Sequence, residues 1–162
     1  MKQILWILLE NEPGSLSRVI GLFSQRGYNI ESVTVSPTED NTLSSMIIQT
    51  NGDTKTLEQI EKQLHKLINV LKITQIHPKF FIKREIALIK IQNSGYSTDQ
   101  IMLIIKIYKA KIIDLTNKIY IIQITGKSKK INDCIKKISY ISKILEISRS
   151  GTIGIMKTNS EI

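Results

Sequence analysis

The chain is predicted to be an α+β protein made of two ferredoxin-like βαββαβ units, and three observations predict it. Alternating apolar runs and helically spaced apolar stripes follow one another as strand, helix, strand, strand, helix, strand. The same order returns, in degenerate form, after His77-Pro78. No segment of the 162 residues approaches the ~20 apolar residues of a membrane span. The domain bounds expected from this reading are 1–77 and 78–162.

The first strand, over 3–9, is apolar on both faces and should be covered on both. Its apolar run ends in Glu10 with no small-residue cleavage site behind it, so it reads as a strand rather than a signal peptide. A helix over 15–25 carries Leu16, Val19, Ile20 and Phe23 as one stripe. Gly27 suits a left-handed helix stop. The next strand, over 30–36, alternates Val33 and Val35 with Ser32, Thr34 and Ser36, the pattern of a half-buried strand. Pro37-Thr38-Glu39-Asp40-Asn41 is a polar hairpin connection, and a third strand covers 43–50. A helix over 55–66 follows, with Leu57, Ile60, Leu64 and Leu67 on its stripe and Asp53 or Thr54 as N-cap. A fourth strand covers 70–76.

His77-Pro78-Lys79 reads as a linker. Beyond it a strand over 81–91 leads to a loop and a helix carrying Ile101, Ile104, Ile105 and Tyr108. Strands over 110–115 and 119–125 come next. Gly126 precedes a helix with Ile131, Cys134, Ile135 and Ile138. A last strand over 144–149 runs into Ser150-Gly151-Thr152-Ile153-Gly154 and a polar tail.

Hydrophobic content of 41% is enough to build a core. The single cysteine, Cys134, excludes an intramolecular disulfide and suits a reducing cytosol. A soluble, cytoplasmic protein is expected. The net charge of +9 is unevenly placed. Residues 1–77 carry 7 Lys+Arg against 8 Asp+Glu, and residues 78–162 carry 16 against 6. The excess consists of lysines scattered among isoleucines, as in Lys106-Ile107-Tyr108-Lys109-Ala110-Lys111, which reads as solvated faces. Base recognition on this topology needs aromatics on the third strand, and Ser44-Ser45-Met46-Ile47-Ile48-Gln49-Thr50 has none. A tandem nucleic-acid-binding module is therefore only the alternative reading.

No catalytic constellation is present. His65 and His77 lack metal-ligand neighbours at the right spacing. Gly-x-Ser-x-Gly, P-loop and Gly-x-Gly-x-x-Gly motifs are missing. Glu10, Glu12, Glu31, Glu39 and Asp40 form no evident dyad. The chain is expected to have no active site, metal or cofactor of its own.

The stretch Asn11–Ile30 is better equipped for binding. Pro13-Gly14 turns directly into a helix N-terminus, whose open N–H groups suit a small carboxylate. Asn11 and Asn29 each bring an amide that both donates and accepts. By chemistry alone two readings stand level: an amino-acid site, or a turn with Asn29 capping a loop.

Asn11-Glu12-Pro13-Gly14, Leu16-Ser17-Arg18-Val19, Gly21-Leu22-Phe23, Arg26-Gly27-Tyr28-Asn29-Ile30-Glu31-Ser32 and Thr34-Val35 tip the balance. With Gln59–Leu67, Arg84–Lys90 and Arg149-Ser150-Gly151, they resemble the regulatory small subunit of acetolactate synthase, also called acetohydroxyacid synthase. The resemblance implies an amino-acid-sensing ACT domain followed by a second ACT-like domain. It implies a homodimer joined through the ACT sheets, with valine bound at the interface. Matched by position, Asn11, Gly14, Ser15 and Leu16 would line the effector site from one chain, and Asn29 and Ile30 from the other. The implied partner is a catalytic large subunit holding thiamine diphosphate, magnesium and FAD. That subunit condenses pyruvate in branched-chain amino-acid synthesis; the small subunit activates it and confers feedback inhibition by valine.

Two departures bear on that expectation. Ser15 and Ser36 stand where small apolar residues are usual, so an activator that has lost valine control is a further alternative. Asn93-Ser94-Gly95 lacks the Pro-Gly turn, and no ligand is assigned to the second domain.

Overall fold

The structure, a computed structural model, describes residues 2–92 and 98–157. The elements are β1 (Lys2–Glu10), α1 (Ser15–Gln25), β2 (Ile30–Pro37), β3 (Leu43–Asn51), α2 (Thr54–Leu64) and β4 (Val70–Gln75). A short 3-10 turn, Pro78–Phe80, leads to β5 (Phe81–Gln92), α3 (Thr98–Tyr108), β6 (Lys111–Leu115) and β7 (Ile119–Gly126). Then come α4 (Ser128–Ile141), β8 (Ile144–Arg149) and β9 (Ile153–Met156). The first four strands form a sheet in the order β2-β3-β1-β4, and the second set repeats it as β6-β7-β5-β8. All of these pairings are antiparallel. This is the expected ferredoxin-like topology, twice.

The compact units do not follow the bounds 1–77 and 78–162. One runs through Ile82 and takes back the chain from Thr152, and the other is Lys83–Gly151. The Pro78 turn does not end the first unit, because Phe81 packs with Ile4, Ile47, Ile76 and Trp6. The returning segment is held by polar contacts. The Thr152 amide donates to Ser32 Oγ and its hydroxyl to Gln49 Oε1, both at 3.3 Å. β9, which pairs with β5, was not expected. It is four residues long and interrupted by Gly154, so it carries little pattern.

In the first unit, Leu5, Ile7 and Leu9 of β1 meet Met46 and Ile48 of β3 under both helices. Ile4 faces the other way, into the Phe81 cluster, so the second face of β1 is buried at Ile4 and half-buried at Trp6 and Leu8. The α1 stripe differs from the expected one. Ser15, Val19 and Phe23 are buried, while Leu16 is 41% exposed. Residues four apart lie on one helix face, and here that face is the 15-19-23 line. Gly27 does close the helix in the left-handed region, with φ +68°, and the Tyr28 amide donates back to the Phe23 carbonyl at 2.9 Å.

β2 is a sheet edge. Val33 and Val35 pair with Ile48 and Met46, on the helix-bearing face, yet they are 40% and 41% exposed. The valines alternate as expected but are left uncovered.

In the second unit, Ile89 and Ile91 of β5 and Ile122 and Ile124 of β7 pack against Ile101, Ile104, Ile131, Cys134 and Ile138. Cys134 is a core residue, and burial pushes its thiol up to about 11. Arg149 Nε and Nη2 donate to the two carboxylate oxygens of buried Glu85 at 2.5 and 2.9 Å. The loop at Asn93-Ser94-Gly95 lies outside the described residues.

Candidate functional site

Asn11 follows directly on β1, at the mouth of the hairpin between β2 and β3. Its amide N–H donates to the Thr42 carbonyl at 2.7 Å, and its side-chain Nδ2 to the Asn41 carbonyl at 2.9 Å. The side chain is exposed, and with Nδ2 engaged its Oδ1 is the acceptor it can offer. The hairpin that receives Asn11 is itself braced. Asp40 Oδ1 accepts from the Thr42 amide at 2.9 Å and its hydroxyl at 2.6 Å, which holds the Asp40 carboxyl below its usual range.

Gly14 is the N-cap of α1, with φ +91°, a conformation that glycine adopts without a steric penalty. The Ser15 amide turns back to the Glu12 carbonyl at 3.2 Å, and the Arg18 amide closes the first turn on the Gly14 carbonyl at 2.9 Å. No side chain caps the helix and no acid lies in its first turn. The amides of Leu16 and Ser17 thus stand at an uncapped positive helix end. Ser15 points inward. It is 2% exposed, and its Oγ is the one buried side-chain polar atom without a hydrogen-bond partner among the described residues. Leu16 points outward from the same turn.

The second group of residues sits elsewhere. Asn29 precedes β2, and its carbonyl accepts from the hydroxyl of fully buried Thr50 at 2.6 Å. Ile30 pairs with Thr50, whereas Glu10, next to Asn11, pairs with Leu43. The two groups are separated by the length of β3 from Leu43 to Thr50, about 24 Å at a rise of ~3.4 Å per residue. A recess of about 360 Å³ beside Asn11 is lined by Glu10, Glu12, Asn41, Thr42 and Leu71 among others. A second, of about 480 Å³, lies on the α1 face carrying Gly14, Arg18 and Gly21. Neither contains Asn29 or Ile30. The structure therefore brings Asn11, Gly14, Ser15 and Leu16 onto one loop and helix start, and sets Asn29 and Ile30 at the opposite end of the sheet.

Sequence reasoning missed Thr50 and Thr42, which hold the backbone at the two ends. The Asp40-Asn41-Thr42 spacing, with Asp40 bonded two residues ahead, is the local signal that could have marked Thr42; Thr50 is found only through the strand register. No group of three or more His, Cys, Asp or Glu side chains suited to a metal ion occurs among the described residues. No described helix is long and apolar enough to cross a membrane.

Comparison with known proteins agrees with this architecture. Residues 5–72 match the family described as AHAS small subunit-like ACT domain, and residues 84–158 match the small subunit of acetolactate synthase. The chain is 53% identical over 157 residues to the acetolactate synthase isozyme 3 small subunit of Escherichia coli K12, covering 97% of this chain and 96% of that one. It is 54% identical over 155 residues to the acetolactate synthase small subunit of Buchnera aphidicola subsp. Baizongia pistaciae, covering 96% and 98%. The crystal structure of the acetolactate synthase small subunit from Thermotoga maritima superposes with a TM-score of 0.91 at 36% identity, covering 99% of both chains. With both halves matched in register, the chain belongs to the acetolactate synthase small-subunit family.

Proposed function

We propose that the chain is the valine-sensing regulatory subunit of acetolactate synthase. It activates a separate catalytic large subunit and transmits feedback inhibition to it. Thiamine diphosphate, magnesium and FAD belong to that partner, and this chain supplies no catalytic group. The setting is the cytoplasm.

The observation that carries the reading is the separation of the two half-sites. One chain cannot close a pocket around an amino acid with groups about 24 Å apart. A two-fold axis through the β2 edge removes the difficulty. Antiparallel pairing of β2 with its copy sets the partner's start of β2 beside this chain's Ser36 and Pro37. Those residues pair with Ser45 and Ser44, at the end of the sheet where Asn11 lies. The partner's Asn29 and Ile30 then face this chain's Asn11, Gly14 and Leu16, with the buried Ser15 behind them. The same pairing satisfies an open sheet edge and covers Val33, Val35 and Leu16, which are exposed in the single chain. Asn11 Oδ1 and the partner's Asn29 Oδ1 would accept from the ligand's ammonium group. The amides of Leu16 and Ser17 would meet its carboxylate.

Subunit complementation tests this. Asn11→Ala and Asn29→Ala chains should each lose valine binding by calorimetry. Mixed in equal amounts and allowed to exchange, they should recover about a quarter of the sites. Half of the dimers are then hybrids, and each hybrid has one intact site. Variants that bind valine like the wild type, or a mixture that recovers nothing, would defeat the shared-site reading. Acetolactate formation by the mixed subunits, with and without valine, tests activation and inhibition directly.

A further inference from the structure

The loop that carries the first half-site is bracketed by a residue far away in sequence. Asn69 precedes β4 and is 5% exposed. Its Oδ1 accepts from Arg18 Nη1, and its Nδ2 donates to Glu10 Oε2 at 2.6 Å. Its backbone carbonyl also accepts from the Glu10 amide at 2.9 Å. Arginine only donates and a carboxylate only accepts, so the two partners fix which way the Asn69 amide points. Glu10 is the last residue before Asn11 and Arg18 the first after Ser17. One buried amide thus ties together both ends of the segment holding Asn11, Gly14, Ser15 and Leu16.

We propose that Asn69 is a positioning residue of the effector site: it sets the spacing between Asn11 and the open amides of α1 and touches no ligand itself. The inference rests on the effector reading above. Without the side-chain bracket, Asn11 is located by the end of β1 and the hairpin, and the α1 amides only by helix packing on the sheet. The two parts of the half-site then move separately, and a ligand must order them on binding.

A donor-acceptor swap tests this in the full-length chain. Asn69→Asp keeps the acceptor for Arg18 but faces Glu10 with a second carboxylate. Combining it with Glu10→Gln restores a donor-acceptor pair in reverse. L-valine is titrated by calorimetry, and amide hydrogen exchange is followed over residues 11–17 with β3 as internal reference. Asn69→Asp should weaken valine about tenfold and speed loop exchange by a similar factor. The double variant should return both to within about threefold of wild type. Arg18→Met, on an exposed side chain, cuts the other link and should loosen the same segment. Wild-type exchange in both Asn69→Asp and Arg18→Met overturns the assignment, as does a double variant no better than Asn69→Asp. A general loss of thermal stability with unchanged loop exchange overturns it too. If the wild type itself does not bind valine, the effector reading falls, and the exchange data alone decide for or against Asn69.

Discussion

The Thr50 hydroxyl holds the Asn29 carbonyl through a 2.6 Å hydrogen bond spanning 21 residues of chain. Thr50 is fully buried in β3, so the bond fixes the start of β2 from inside the sheet. Thr50→Val keeps the shape and removes the donor. It should cost about 1 kcal/mol of stability, the worth of one such bond. On the proposed effector reading Asn29 loses its anchor, so valine affinity should fall about fivefold at the same time. Fluorescence of the single tryptophan, Trp6, which lies in this unit, reports the first effect; calorimetry reports the second.

Ser15 gives the opposite expectation. Its hydroxyl is buried and has no hydrogen-bond partner among the described residues. A buried hydroxyl without a hydrogen bond costs roughly 1–3 kcal/mol. Ser15→Ala should therefore stabilise the first unit by about 1 kcal/mol in urea unfolding followed by Trp6. A loss of stability would mean that the hydroxyl has a partner in solution.

These two residues mark where the sequence was legible. Helical spacing and the Gly14 and Gly27 punctuation placed α1 at Ser15–Gln25, and β8 was equally clear. Local pattern cannot say which neighbouring stripe a helix buries, so the apolar spacing puts Leu16 inward while the structure exposes it. Nor can alternation tell an edge strand from a covered one, so the exposure of Val33 and Val35 had to come from the sheet order. Asn11 and Gly14 could be found by turn chemistry. Thr50 and Asn69 could not, because their partners lie 21, 51 and 59 residues away.

The Glu85–Arg149 pair makes the second unit sensitive to acid. Hydrogen bonds from Arg149 hold the Glu85 carboxyl below its usual range, against the effect of burial. A depressed acid contributes stability that is fully present above its unfolded value, about 4.3, and is lost as pH falls through the native value. Glu85→Gln should cost about 2 kcal/mol at pH 7, and the gap to wild type should narrow steadily below about pH 4. A gap that is the same at pH 7 and pH 3 would show that the pair adds no charge-dependent stability.

Cys134 offers a probe of the same unit. It is fully buried, and its thiol is pushed up to about 11. At pH 8 only about one thiol in a thousand is then ionised. A thiol-reactive dye should label the native chain at a rate set by opening of the core. Labelling should quicken in Glu85→Gln at pH 7 and reach completion at once in denaturant. Rapid labelling of the native wild type would contradict the burial.

Gly154 tests the return of the chain to the first unit. A Cβ there would sit 2.4 Å from Phe81 Cε1 and 2.5 Å from the Ile82 carbonyl oxygen. The ring can shift, but the backbone carbonyl is fixed in β5. Gly154→Ala should therefore push β9 off β5 rather than be absorbed by local repacking, at a cost of about 1–3 kcal/mol. Lifting β9 pulls at Thr152, whose amide and hydroxyl are bound to Ser32 and Gln49. It also disturbs Phe81 and the cluster it forms with Ile4, Ile47 and Ile76. Limited proteolysis should cut the variant within 150–157 at least tenfold faster than wild type. Trp6, packed beside that cluster, should shift its emission to the red. If cleavage quickens while Trp6 emission stays unchanged, β9 is a loose appendage; if both change, the returning segment is a structural part of the first unit.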